Sequence, residues 1–76
     1  MRVYPNPVLQ GELNIEMKEV GFYSVRIFDL LGRMVDQFMF DGLEFLYINQ
    51  NINSGIYIME IQNNDEVLFE GKFMIK

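Results

Sequence analysis

Apolar side chains recur at every second position along much of this chain, a period that suits extended strands with one buried face and cannot form the stripe of a packed helix. Leu13, Ile15 and Met17 alternate with Glu12, Asn14, Glu16 and Lys18; Tyr23, Val25 and Ile27 alternate with Ser24 and Arg26; Tyr57, Met59 and Ile61 alternate with Glu60 and Gln62. Each of these strands therefore has a dry face and a wet one. No stretch of helical length shows a 3.6-residue period with a cap, and alanine, the best helix former, is absent.

Between the alternating runs the sequence predicts strands near Arg33–Phe40, Leu43–Asn49 and Glu66–Ile75, with a short seventh at Arg2–Tyr4. The connectors Val20-Gly21, Asp29-Leu30-Leu31-Gly32, Asp41-Gly42, Asn53-Ser54-Gly55 and Asn63-Asn64-Asp65 hold residues that accept positive φ or bond their own backbone. Asp41-Gly42 is the strongest tight-hairpin signal. The fold class is all-β, and six or seven short strands at this spacing predict an immunoglobulin-like antiparallel β-sandwich.

The 76 residues make one domain, close to the lower size at which a single core folds unaided. Half the residues are hydrophobic and eleven are aromatic, a load suited to a packed interior. Without cysteine, no disulfide or thiolate metal site staples it. A net charge of -5 repels phosphate backbones and leaves no basic stripe, which argues against nucleic acid as a partner. No apolar run reaches the roughly 20 residues of a membrane-spanning helix. Met1-Arg2-Val3 leads directly into Tyr4-Pro5-Asn6-Pro7 with no signal-peptide core behind it, so an export signal is expected upstream, in a longer natural chain.

Catalysis finds few candidates. The chain has neither His nor Cys, and thus lacks the commonest general base, the thiol nucleophile and the usual transition-metal ligands. Of the two serines, Ser24 is mid-strand and Ser54 precedes a turn glycine, both structural placements. Asp29, Asp36, Asp41 and Asp65 fall in or near loops, but their spacing matches no EF-hand-like calcium loop and each suits shaping its own turn. No enzyme activity and no cofactor are expected. The five internal methionines read as core filling. Phe38 and Phe40 share one parity of their strand while Val35 and Met39 share the other, so this strand cannot hide all its apolar residues on one face.

Four landmarks, in this order, resemble the C-terminal sorting domain (type A) of the type IX, or Por, secretion system of Bacteroidota. They are Tyr4-Pro5-Asn6-Pro7-Val8, Asp29-Leu30-Leu31-Gly32-Arg33-Met34-Val35, Ser54-Gly55-Ile56-Tyr57-Ile58-Met59-Glu60-Ile61 and Lys72-Phe73-Met74-Ile75-Lys76, so the match runs along essentially the whole of residues 1–76. Each piece also has a structural reading. The prolines set an extended entry, Gly32 supplies a left-handed turn residue, Arg33 pairs with Asp29 across the turn, Tyr57 leads a buried face, and Lys72 and Lys76 are edge-strand charges.

The resemblance implies a folded, non-catalytic address label on a longer secreted protein. Such a domain directs attached upstream cargo through the periplasm and outer membrane to the cell surface, handled by a shuttle protein, the type IX outer-membrane translocon and a sortase-like peptidase that removes the label. Carried over by position, Gly32 and Arg33 match the family's Gly-Arg turn, Gly55 and Tyr57 its Gly-x-Tyr strand, and Lys72, Phe73 and Lys76 its basic terminal strand. The terminal strand Glu66–Lys76 is expected at or near a sheet edge, open to a partner by strand addition or to self-association, with Gly71 weakening or bulging it. A different class of function is an immunoglobulin-like or fibronectin-like accessory module that spaces or attaches an extracellular enzyme, for instance to glycan; a flat row of exposed aromatic rings would mark it.

Overall fold

A computed structural model describes residues 2–4, 12–48 and 52–76. Pro5, Asn6, Pro7 and Val8 of the first landmark and Asn49 of the fifth expected strand lie outside the described residues. Those described form strands β1 (Arg2–Tyr4), β2 (Glu12–Phe28), β3 (Met34–Ile48), β4 (Gly55–Asn63) and β5 (Glu66–Ile75), with no helix among them. Every pairing is antiparallel, in the order β1-β2-β4-β5, with β3 on the other side of β2.

The all-β antiparallel prediction matches this architecture. Apart from Arg33, all seven expected segments are extended over their described residues, but four of them fuse in pairs into β2 and β3, so the described residues form five separate strands. Asp41-Gly42 is not a hairpin turn. It lies inside β3, where Gly42 faces Gly21 and Asp41 faces Phe22 of β2. Both expected connectors therefore meet at one level of a single long hairpin and bend it, rather than reversing the chain. The ladder breaks there between Glu16 and Gly21, four β2 residues against one of β3, and Gly42 takes φ +130. An extra loop of one strand against its partner increases local bend and twist.

The bend folds β3 back over itself. Phe38, before the bend, stacks on Phe45 and Tyr47 after it, with ring centroids 5.0 Å apart in both pairs, and Phe40 meets Phe45 at 5.2 Å and Tyr23 at 5.3 Å. Tyr47 Oη donates to Asp36 Oδ2 at 2.6 Å across the same gap. One curled sheet thus encloses a core on its concave face, where Leu13, Ile15, Val25, Ile27, Met59 and Ile61 are fully buried. Sandwich-like layering arises from one sheet folded along a line through Gly21 and Gly42.

Space at Gly21 is tight. A Cβ there would stand 3.2 Å from the Tyr23 hydroxyl and 3.3 Å from Asn63 Nδ2, which itself donates to the Phe22 carbonyl at 3.1 Å. The fold line thereby gathers the β4–β5 turn, Asn64 and Asp65 at positive φ, beside the bend. The opposite end of the sheet holds the β2–β3 turn, the start of β4 and the end of β5.

Candidate functional site

At that far end the turn after β2 is built by one carboxylate. Asp29 Oδ1 accepts from the backbone N–H of Leu31 at 2.9 Å and of Arg33 at 3.0 Å, while its Oδ2 takes Arg33 Nε at 2.8 Å. The backbone adds Asp29 N–H to the Arg33 carbonyl at 2.9 Å and Gly32 N–H to the Asp29 carbonyl at 3.1 Å. The Arg33 N–H, then its guanidinium and the Leu31 N–H, hold the Asp29 carboxyl below the usual carboxylate range. Gly32 closes the turn at φ +84, which an L side chain rarely adopts. Arg33 does pair with Asp29, and its side chain is otherwise 74% exposed.

Gly55 and Tyr57 open β4 across from the chain's end: Gly55 faces Ile75, Tyr57 faces Phe73 and Ile58 faces Lys72. Tyr57 and Phe73 are buried and their rings lie 6.0 Å apart, while the Tyr57 hydroxyl donates to the Asn53 carbonyl at 2.7 Å. Lys72 and Lys76 are exposed. Because Phe28 pairs with Ile58, the Asp29–Arg33 turn lies next to the start of β4. An open groove of about 240 Å³ between them is lined by Asp29, Arg33, Val35, Ile52, Asn53 and Tyr57. Six sequence-predicted residues, Gly32, Arg33, Gly55, Tyr57, Phe73 and Lys76, are thus gathered at one end, with Lys72 just inward on the outer face of β5.

The N-terminal segment joins elsewhere. Arg2 faces Glu16, the last residue of β2 paired to β3 before the fold line, and Tyr4 faces Asn14. Glu16 Oε2 accepts from the Tyr4 hydroxyl at 2.6 Å and Arg2 Nη2 at 3.1 Å, with the Arg2 guanidinium 4.2 Å above the Tyr4 ring. The Tyr4 hydroxyl foremost, then Arg2, lowers the Glu16 carboxyl and so favours its charged form. This clamp, the Asp36–Tyr47 contact and the role of Asn53 escape sequence reading. Arg2 and Glu16 are 14 residues apart, and only the register of β1 on β2 joins them.

Gly71 neither bulges nor interrupts β5. It faces Met59 in regular register, and the irregularity falls between Ile61 and Gln62 of β4, where Leu68 is the extra residue of β5. What Gly71 provides is room: a Cβ there would sit 2.7 Å from Cζ of Phe69. β5 is an edge strand, as expected of the terminal strand. The surplus apolar residues of β3 divide by face, with Phe40 buried and Phe38 half-buried in the aromatic stack while Met39 and Val35 stay exposed. Among the described residues Phe22 is the aromatic ring that stands exposed, so no flat aromatic row for sugar stacking is present there. Nor do three or more acidic residues gather there as metal ligands.

Two relatives share this sequence along its length. It is 31% identical over 74 residues to an ulvan lyase of Nonlabens ulvanivorans, covering 96% of the chain and 14% of that protein. It is 25% identical over 77 residues to an endo-acting ulvan lyase of Formosa agariphila, covering 100% of the chain and 15% of that protein. The chain therefore spans about one-seventh of the length of these relatives. The sequence model of the secretion system C-terminal sorting domain matches residues 2–76. The chain belongs to that family, the type IX sorting tails of Bacteroidota that mark the proteins bearing them for secretion to the cell surface or beyond.

Proposed function

We propose that the secretion machinery reads this module at the end carrying the Asp29–Arg33 turn, the Gly55–Tyr57 strand start and Phe73–Lys76, while attached cargo departs from Arg2 beside the fold line. The observation that carries this reading is the convergence of three landmark segments, separate in sequence, on one groove and the strand edge beside it. Three cations stand exposed there on a chain of net charge -5: Arg33, paired with Asp29, and Lys72 and Lys76. A patch with exposed cations on an acidic body orients an approaching partner as well as attracting it.

On this reading the module is handled rather than catalytic. A shuttle protein and the outer-membrane translocon of the type IX system engage the patch and the edge of β5, and a sortase-like peptidase cuts on the cargo side. The 76 residues form one sorting module of a longer secreted protein. The two ulvan lyases suggest polysaccharide-degrading cargo upstream.

Truncating Phe73–Lys76 is a poor test, because Phe73 and Ile75 are core residues and their loss unfolds the module. Charge reversal at exposed positions avoids that. In a reporter fusion expressed in a host with this system, Arg33→Glu, Lys72→Glu and Lys76→Glu together should lower export by at least about tenfold. Lys18→Glu, exposed at the opposite end, should export like the parent. Undiminished export of a folded triple variant would refute the assignment.

A further inference from the structure

The short strand β1 points at a stretch of β2 that could carry it further. Residues 14–16 of β2 pair with β3 on one side and β1 on the other, and residues 24–28 pair with β3 and β4, so β1 and β4 lie on the same side of β2. Between these two stations the described residues offer Met17, Lys18, Glu19 and Val20 no ladder partner. An extended backbone without a ladder partner is a template for another strand. Beside it opens a groove of about 470 Å³ whose apolar wall is Met17, Tyr23 and Leu68. The Tyr23 hydroxyl donates to the Glu19 carbonyl and so fixes the course of β2 at the groove's margin. Leu68, the extra residue of β5, stands half-exposed across from it.

The register of β1 aims the chain into this groove. Arg2 faces Glu16 and the pairing is antiparallel, so each step toward the N-terminus from Arg2 advances one residue from Glu16 toward Glu19. We propose that the segment preceding Arg2, which links the module to its upstream cargo, extends β1 along Met17, Lys18 and Glu19 and seats apolar side chains in the groove. Parity selects which ones. Val3 faces Ile15 and packs against the core, so the residues reaching Met17 and Glu19, the first and third before Arg2, point inward, while the second points to solvent.

The ligand of the groove is therefore a short extended segment, apolar at alternate positions, with backbone pairing supplying affinity and parity supplying selectivity. This inference rests on the part of the proposed reading in which cargo departs from Arg2. It adds that the peptide bonds just before Arg2 are tied into the sheet. Backbone held in a ladder is a poor protease substrate, so a cut on the cargo side falls upstream of them.

The test places two probe segments of identical composition, Ser-Val-Ser-Val and Val-Ser-Val-Ser, before Arg2 in place of Met1, each behind the same Gly-Ser tail. Only the first sets valine at both inward positions, because a shift of one residue moves every side chain to the other face. With the first probe, hydrogen exchange of the Met17–Val20 amides that point toward β1 should be at least about tenfold slower than with the second. Leu68→Ser, at a half-exposed position, should erase that difference. Equal exchange with the two probes, or a difference that survives Leu68→Ser, would overturn the proposal. Because no secretion machinery is present, failure here leaves the export surface standing, and undiminished export of the triple variant leaves this docking standing.

Discussion

The strands β3 and β5 both border the curled sheet, yet they solve the problem of an open edge differently. Over its 15 residues β3 is bent double at Gly42, stacks its own aromatic rings across the bend, and bears only acidic charge. In contrast, β5 has 10 residues, runs past β4 without such a fold, and bears charges of both signs. An edge that is strongly bent and of one charge resists strand addition, whereas an extended edge of mixed charge invites it. Protection is thus concentrated on the longer border, and among the described residues no such bend guards the border containing the terminal landmark.

Breaking the aromatic clasp of β3 should have the largest effect. Phe40→Ala removes a buried ring in contact with Tyr23 and Phe45, and urea unfolding should show a loss of about 3 kcal/mol, a large share of the stability of a domain this small. Gly71→Val, on the opposite border, should cost about 1–3 kcal/mol by driving a side chain into the Phe69 ring. If space is the cause, Phe69→Ala should remove most of that extra cost in a double-mutant cycle; full additivity would count against it.

A smaller loss, about 1 kcal/mol, is expected for Tyr47→Phe, which deletes the hydroxyl bond to Asp36 across the β3 bend. Burial first, and then Asp36, push the Tyr47 phenol well above its ordinary range. The unfolded chain ionises that phenol near pH 10 while the folded chain retains the proton, so stability should fall as pH rises beyond about 10, less steeply in Tyr47→Phe. The mildest effect concerns the acid limb. Asp29 and Glu16 are held below their unfolded values, so their contribution is full above about pH 5 and fades as pH drops through the folded values. Asp29→Asn should flatten that limb in an acid titration of the unfolding midpoint.

Much of this was legible because strand formation is written locally. Apart from Arg33, every expected segment is extended over its described residues, and the residues that alternate as apolar in β2 and β4, from Leu13 to Ile61, are the buried ones. The Asp29–Gly32 turn and its Arg33 pairing could likewise be read from five consecutive residues. The fate of Val20-Gly21 and Asp41-Gly42 could not. A glycine that permits a reversal permits a bend equally well, and the choice rests on Gly21 meeting Gly42 across the ladder, a contact between residues distant in sequence. At the far end, Gly55, Tyr57 and Phe73 were legible as landmarks, but the burial of Tyr57 against Phe73, and the opposite placement of Arg2, follow from register alone.

The clamp of Arg2 and Tyr4 on Glu16 has a mechanical consequence. Chain entering at Arg2 meets the module beside the fold line, while the Arg33 and Lys76 end lies at the other extreme of the strands. On the proposed reading, with cargo attached at Arg2 and the machinery gripping that far end, tension between the two runs along the strands. Such a pull strains the interstrand hydrogen bonds side by side in shear instead of opening them one after another like a zipper. A three-residue strand is a weak hinge when peeled, but hauled lengthwise and backed by two side-chain bonds it is a serviceable tow-point.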